Sequence, residues 1–292
     1  MAEAETVDNS RSLPPLTESA YAEAYRHFLG ALIRPDGGPW LPYLKRTLPS
    51  LCLPPPDRPE PVRILSIGAG AGADDLWLIK NVFLPHSKNL HYDAIEPNAD
   101  HFEEFKKNVA MEEEKNIISG LHLHNVAFED FPPPSTAAEK YDLVLLIHSL
   151  YYLAPTALKL IYDEYIPANS GSIVVILDSP CGLPRLQKTL GVEGAHDLHL
   201  EDALDGLQGA KKEIIYTTLW MDLEEAFANT TRDLHLLEFI VVRDLTHAAP
   251  ELLDNIRREL QDRALVRNGR RMYWIPEGST VPKLDFSRKG VY

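Results

Sequence analysis

The feature that most constrains this chain is a glycine-rich turn directly after an apolar run. Val62 to Ile67 is short and rich in β-branched residues, and it leads into Gly68-Ala69-Gly70-Ala71-Gly72. Glycine permits sharp turns and lets a ligand approach the backbone without meeting a Cβ atom. A strand, a glycine turn and a helix in this order are typical of nucleotide-type sites, where the ligand lies beyond the carboxyl ends of the strands. The sequence therefore predicts a cofactor loop at residues 68–72.

Apolar runs and helical patterns alternate through most of the chain. A first helix is expected from Thr17-Glu18 and a second over 41–51. The predicted strands are 62–67, 90–95, 121–126, 141–147, 172–177, 213–218 and 271–275, and the later predicted helices are 74–82, 98–111, 156–164, 200–207, 223–228 and 250–263. Short apolar strands between helices favour a parallel sheet that is buried on both faces. We expect an α/β fold with a doubly wound, mostly parallel, Rossmann-like sheet.

Charge and composition exclude several classes of function. The 292 residues carry a formal net charge of −14, which repels nucleic-acid phosphates and anionic membranes. No apolar run approaches the roughly 18 residues that span a bilayer. Only two cysteines occur, Cys52 and Cys181, without metal-ligand spacing around either, and so small a number fits a reducing compartment without a disulfide framework. We expect a cytoplasmic protein that binds neither nucleic acid nor membrane.

Histidine pairs give no clear metal site. His122 and His124 alternate on a predicted strand without a third ligand at suitable spacing. His196 and His199 have helical spacing, and a zinc site there is the less favoured alternative. The expectation from the sequence is that no metal is bound.

An acidic residue ends the second predicted strand. Glu96, in Ile95-Glu96-Pro97-Asn98, stands where a carboxylate accepts hydrogen bonds from both hydroxyls of a ribose. Asn98 is the better N-cap for the helix that follows. Gly68-x-Gly70-x-x-Ala73 also fits the dinucleotide pattern, so an NAD-dependent oxidoreductase remains an alternative, although no Tyr-x-x-x-Lys pair follows.

Several motifs resemble those of class I methyltransferases and, more narrowly, of histamine N-methyltransferases. They are the ILSIGAGAG loop, the IEPNA segment, the stretch 125–130, Asp142 at the start of a strand, and the stretch 147–152 with its I-x-x-LYY pattern. The similarity runs through most of the chain and is densest over 63–175. It implies S-adenosyl-L-methionine as cofactor and methyl transfer to a nitrogen of a small amine or imidazole compound. The implied cofactor-binding residues are Gly68, Ala69, Gly70, Gly72, Glu96, Asn98, His101, Phe128 and Ile147.

The same resemblance implies a substrate site. The predicted catalytic residues are His148, Tyr151 and Tyr152, and the predicted substrate-binding residues are Tyr21, Tyr25, Phe28, Asp36, His148, Tyr152, Phe239 and Asn268. Tyr21, Tyr25 and Phe28 share one helix face, a pattern that ordinary packing also produces. Phe128 could pack either against the adenine ring of the cofactor or within the hydrophobic core.

Two positions depart from the family pattern. His148 stands where the family has a glutamine that binds the imidazole, and the family's ammonium-binding glutamate has no counterpart except Asp36. We hypothesise that His148 orients or deprotonates the attacking nitrogen, since an imidazole has an ordinary pKa near 6.5. A histidine that only bonds a neighbour is the alternative. The departures also leave open a non-catalytic protein that binds S-adenosylmethionine.

The resemblance also implies a small substrate-binding cap and a monomer. The predicted division is a disordered N-terminus at 1–15, a helical cap at 16–60, the cofactor-binding core at 61–179, cap segments at 180–240, and a C-terminal helix and strand at 241–292. The Pro54-Pro55-Pro56 stretch is the predicted linker between the first helices and the core.

Overall fold

The computed structural model describes residues 13–33, 41–113, 120–167, 170–178, 187, 214–228, 231–267 and 270–280. The helices are α1 (Glu18–Ala31), α2 (Leu41–Leu51), α3 (Ala73–Leu78), α4 (Leu84–His86), α5 (Ala99–Glu113), α6 (Ala157–Leu160), α7 (Thr231–Val241) and α8 (Pro250–Arg263). The strands are β1 (Leu32–Ile33), β2 (Val62–Ile67), β3 (Leu90–Ile95), β4 (Leu121–His124), β5 (Leu143–Ile147), β6 (Ser172–Asp178), β7 (Ile214–Asp222), β8 (Leu265–Arg267) and β9 (Arg270–Thr280).

The described residues fall into two compact units. The core unit contains those between Asp36 and Leu177, and the α1/α7 unit contains α1, β1, α7, α8 and β8. Each unit has its own apolar cluster or clusters.

A parallel sheet forms the centre of the core unit. Its strand order is β4-β3-β2-β5-β6, and every neighbouring pair is parallel. In chain order this is the 3-2-1-4-5 arrangement of a doubly wound sheet. The order reverses between β2 and β5, which places a crevice beyond their carboxyl ends.

Both faces of this sheet are covered. Ile64 and Leu145 point to one face with α2 and α3, and Leu65 and Val144 point to the other with α6. All four are fully buried. Burial on both sides explains why these strands read as continuous apolar runs rather than as alternating ones.

The α1/α7 unit is built on helix packing. Thr17 caps α1 by accepting a hydrogen bond from the N–H of Ala20 at 3.3 Å. Buried residues of α1, α7 and α8, including Phe28, Leu237 and Ile256, form one cluster. β1 pairs antiparallel with β7, where Leu32 lies opposite Met221.

The expected fold class is confirmed, whereas the helix expected at 223–228 is wrong. The α/β Rossmann-like sheet is present, with β2 and β3 at the predicted bounds. The segment 223–228, expected as a helix, holds a 3₁₀ turn at Glu225–Phe227, and α7 was not predicted. The predicted helix 200–207 lies outside the described residues. The substrate cap and the division into domains stay predictions.

None of the helices in the described part of the chain has the length and apolarity that crossing a bilayer requires.

A buried acid lies beneath the glycine turn in the core unit. Asp75, in the first turn of α3, is 2% exposed and accepts a hydrogen bond from the Tyr92 hydroxyl at 2.7 Å. Burial raises the pKa of Asp75 from 3.8 to about 6, and hydrogen bonds from Ser66 and Tyr92 oppose this rise. Burial likewise raises the pKa of Tyr92 well above its usual value.

Replacing this acid changes how stability depends on pH. Because the folded pKa of Asp75 is raised, its contribution to stability is fully present below about pH 4 and is lost as the pH rises through about 6. We expect the free energy of unfolding of Asp75→Asn, relative to that of the parent, to rise as the pH increases through this window. The difference reaches roughly 3 kcal/mol at most at pH values above the window. Urea unfolding between about pH 4 and pH 7 measures this. The control is Asp100→Asn, which removes an exposed first-turn acid from α5. Parallel stability curves for the parent and Asp75→Asn would contradict the buried-acid interpretation.

Candidate functional site

The turn after β2 uses its three glycines for different reasons. Gly68, Gly70 and Gly72 have φ values of 70°, 59° and 75°, in the region that favours glycine. A Cβ atom on Gly72 would lie 2.1 Å from the ring of Phe105, and one on Gly68 would lie 2.5 Å from the Cβ of Ser149. A Cβ on Gly70 would meet nothing within 4 Å. Internal packing therefore requires the outer two glycines, whereas Gly70 borders open space where a ligand can approach the backbone.

Glu96 joins the end of β3 to this turn. Its carboxylate is 6% exposed, and its Oε2 accepts a hydrogen bond from the N–H of Gly70 at 2.7 Å. Its Oε1 accepts from the N–H of Asn98 at 2.8 Å. Two backbone amides thus fix the carboxylate beside the open space at Gly70. A carboxylate oxygen has a second lone pair, so this acceptor group fits the hydroxyls of an adenosyl ribose.

Asn98 caps the helix after β3, as expected. Its Oδ1 accepts hydrogen bonds from the N–H groups of Asp100 and His101, both at 3.0 Å. His101 is buried in the first turn of α5. The capping oxygen fixes the start of α5 directly after the Glu96 turn.

Phe128 lies in the core. It follows β4 in a 3₁₀ turn, is 4% exposed, and its ring centroid is 5.3 Å from that of Tyr165. Of the two roles open for Phe128, the core role is the observed one, and adenine packing stays a prediction. Ile147, the last residue of β5, is half-buried.

The residue after β5 has an unusual backbone conformation. His148 has a φ of 52°, and its N–H donates to the carbonyl of Ile176 at 2.8 Å. A left-handed conformation in a residue other than glycine costs on the order of 1 kcal/mol or more, and such residues concentrate at functional sites. The next residue, Ser149, packs against Gly68. The β5 end and the glycine turn are therefore neighbours.

Two tyrosines follow in a 3₁₀ turn at Leu150–Tyr152. Tyr151 is 9% exposed, whereas Tyr152 is 51% exposed. Their rings meet edge to face with centroids 6.1 Å apart. Tyr151 thus packs in the core unit, and Tyr152 presents an aromatic surface to solvent.

The predicted aromatic residues of the α1/α7 unit come together. Phe239 of α7 lies against three side chains of α1, with ring centroids 4.3 Å from Phe28, 5.5 Å from Tyr25 and 5.8 Å from Tyr21. Tyr21 and Tyr25 stack on each other at 6.2 Å. All four were predicted from the sequence, and their role in substrate binding stays a prediction. Asp36 and Asn268 lie outside the described residues.

Two asparagines that hold the site were not predicted. The Nδ2 of Asn108, on α5, donates to the carbonyl of Ala71 at 3.0 Å. The Nδ2 of Asn125, directly after β4, donates to the carbonyl of Glu96 at 2.8 Å. Each supports a turn that lies far away along the chain, so local sequence gives no signal beyond a polar residue beside an apolar run.

Asp142 secures the opposite end of the sheet. Its carboxylate accepts from both terminal nitrogens of Arg58, at 2.8 and 2.6 Å, and from the N–H of Arg63 at 2.9 Å. The hydrogen bond to Asp142 raises the pKa of Arg58. Asp142 thereby ties the proline-rich linker to β2 and β5.

Comparison with known proteins gives a consistent result. The chain is 26% identical to rat histamine N-methyltransferase over 84% of its length and 87% of that enzyme, and 24% identical to the bovine enzyme over 83% and 87%. Among solved structures, a sarcosine dimethylglycine methyltransferase candidate from Galdieria sulphuraria superposes with a TM-score of 0.50, at 12% identity, over 91% of this chain and 98% of that one. No family model matches the chain.

The structural likeness concerns the fold alone, and the sequence likeness extends over most of both proteins. The structural likeness agrees with the 3-2-1-4-5 sheet. The chain therefore has the fold of class I methyltransferases and is similar over most of its length to enzymes that take a methyl group from S-adenosylmethionine.

Proposed function

We propose that this protein transfers a methyl group from S-adenosylmethionine to a nitrogen of a small amine or imidazole compound. The observation that carries the proposal is the Glu96 carboxylate, buried and fixed by two amides beside the open backbone of Gly70. The likeness to histamine N-methyltransferases supports nitrogen as the acceptor atom. Action as a monomer in the cytoplasm is proposed on that resemblance and on composition.

Different residues of the core unit bind different parts of the cofactor. Glu96 accepts hydrogen bonds from the ribose hydroxyls, and Gly70 lets the adenosyl group lie close to the backbone. When bound, S-adenosylmethionine supplies a methyl group that its sulfonium already activates. Asn108 and Asn125 keep the two turns in place, because each bonds a carbonyl of one of them.

The chemical step demands little of the protein. The acceptor nitrogen must present a free lone pair in line with the methyl group, at about 3–3.5 Å, and this positioning is worth up to roughly 7–11 kcal/mol. His148, at the end of β5 beside the crevice, orients this nitrogen or takes the proton that it loses. Tyr152 follows four residues later, and its exposed ring face favours a cation.

The substrate is a cationic or aromatic amine. The net charge of −14 attracts cations, and the ring of Tyr152, which is 51% exposed, offers a face that binds ammonium or aromatic groups. Histamine itself is not the proposed substrate, because His148 replaces the family's imidazole-binding glutamine. A different ring, or a compound that carries a carboxylate, suits the changed pocket better.

A methyl-transfer screen tests this proposal. Purified protein with S-adenosylmethionine is offered biogenic amines, imidazoles and amino acids, with histamine and histidine side by side, and products are identified by mass spectrometry. We expect N-methylation of at least one small amine, with release of S-adenosylhomocysteine. Cofactor binding without turnover across the panel would instead favour the non-catalytic alternative.

Replacing His148 tests whether its imidazole takes the proton of the acceptor nitrogen or only orients that nitrogen. The variant His148→Asn tolerates the left-handed backbone, because asparagine adopts it more readily than most residues. If His148 moves a proton, kcat falls about a hundredfold or more and the decline in rate at acidic pH disappears. The control is His122→Asn, which removes an exposed histidine from β4. Unchanged kcat and pH profile in His148→Asn would rule out proton transfer by this residue.

A further inference from the structure

Three side chains that can bind a metal meet within the α1/α7 unit. Glu23 and His27 lie one turn apart on α1, and His235 lies on α7. The Nε2 of His27 is 3.3 Å from the Oε1 of Glu23. One ligand atom from each of the three lies within 4.8 Å of those of the other two. None of these residues belongs to the proposed methyl-transfer site.

Glu238 orients one of these histidines. The Nδ1 of His235 is 3.0 Å from the Oε2 of Glu238, and the Oε1 of that carboxylate accepts from the N–H of Leu245 at 3.0 Å. Glu238 is 4% exposed. A carboxylate has no proton to donate, so Nδ1 carries the hydrogen and leaves the lone pair on Nε2. Histidines that ligate metals usually have such a carboxylate partner, which fixes the ring and its tautomer.

The spacing of the two imidazoles fits a shared ion. Their ring centroids are 5.1 Å apart, with planes inclined by 21°. Two imidazoles on one tetrahedral zinc, with Zn–N distances of about 2.0–2.1 Å, have centroids about 5.2 Å apart. Ligand atoms around such an ion are about 3.3–3.5 Å apart. The Glu23–His27 pair is already at 3.3 Å, and the other separations, which are at most 4.8 Å, have to shorten by up to about 1.5 Å.

The cluster is accessible and not saturated by internal contacts. The side chains of Glu23, His27 and His235 are 40%, 21% and 30% exposed. Glu23 also pairs with Arg26 at 2.6 Å through its Oε2, whereas the Oε1 faces His27. A cation can therefore reach the cluster from solvent, and it would compete with one surface ion pair, an interaction worth little by itself.

We propose that Glu23, His27 and His235 form a binding site for a divalent transition metal, zinc by the chemistry of its ligands, with Glu238 as the orienting carboxylate. Two imidazoles and one carboxylate are a common zinc set, and three protein ligands leave a fourth position to water or another small ligand. The ion joins α1 to α7. Phe239 lies one helical turn beyond His235, so the ion also fixes the helix pair that carries the aromatic cluster.

Zinc titration of the full-length protein, freed of metal by a chelator, tests this site. The probe is Zn²⁺ alone, competed against a chromogenic chelator, and the thermal midpoint is followed with and without the ion. We expect one Zn²⁺ to bind at this cluster and to raise the midpoint. His27→Gln and His235→Gln should each weaken binding at least tenfold, and Glu238→Gln about 10–100-fold.

Two further variants keep the result interpretable. His247→Gln removes an exposed histidine of the same unit and should leave Zn²⁺ affinity unchanged. Glu23→Gln alters a partly exposed side chain on a helix surface, so it tests the site even if a histidine variant fails to fold. Zinc affinity in Glu23→Gln and in the two histidine variants equal to that of the parent overturns the proposal, because any zinc bound would then lie elsewhere.

Discussion

The hydrogen bond from the N–H of Gly70 to Glu96 is the contact on which the site depends. It is 2.7 Å long and joins the turn after β2 to the end of β3. The N–H groups of Gly68 and Ala69 add bonds of 2.8 and 3.0 Å to the carbonyl of Ile95. These contacts hold a left-handed glycine turn open over a buried carboxylate, where the doubly wound sheet has its crevice. The packing of Ser149 against Gly68 then brings the β5 end, with His148, to the same place.

Physical reasons decide which elements the sequence could predict. β2 and β3 are buried on both faces, so their apolar runs stand out, and polar or glycine residues mark their ends. α7 escaped prediction because every residue from Leu236 to Val241 is buried, and all but Glu238 are apolar. A short continuous apolar run does not distinguish a helix from a strand by periodicity. At 223–228 the chain makes only a 3₁₀ turn, and Arg271, which is distant in sequence, bonds Glu224 there.

The candidate site shows the same division between local and distant signals. Gly70 and Glu96 were predictable because a strand followed by glycines, and a strand followed by an acid, are local patterns. The glycine pattern alone also suits a dinucleotide, and the likeness to methyltransferases decides between the two. Asn108 and Asn125 act on turns 37 and 29 residues away, and His235 joins Glu23 and His27 only when α7 packs on α1. Such contacts form only when distant segments pack together, so local sequence patterns do not predict them.

The most direct measurement is a calorimetric titration of the purified protein with S-adenosylhomocysteine, with NAD as the competing ligand class. Saturable binding of the former and none of the latter is expected. In Glu96→Gln the affinity for S-adenosylhomocysteine should fall roughly tenfold or more, because a hydrogen bond to a charged group contributes about 1.5–3 kcal/mol. The matched change Glu103→Gln, at an exposed position of α5, should leave it unaltered. No detectable affinity for S-adenosylhomocysteine in the parent protein would contradict the assignment of this crevice as a methyl-donor site.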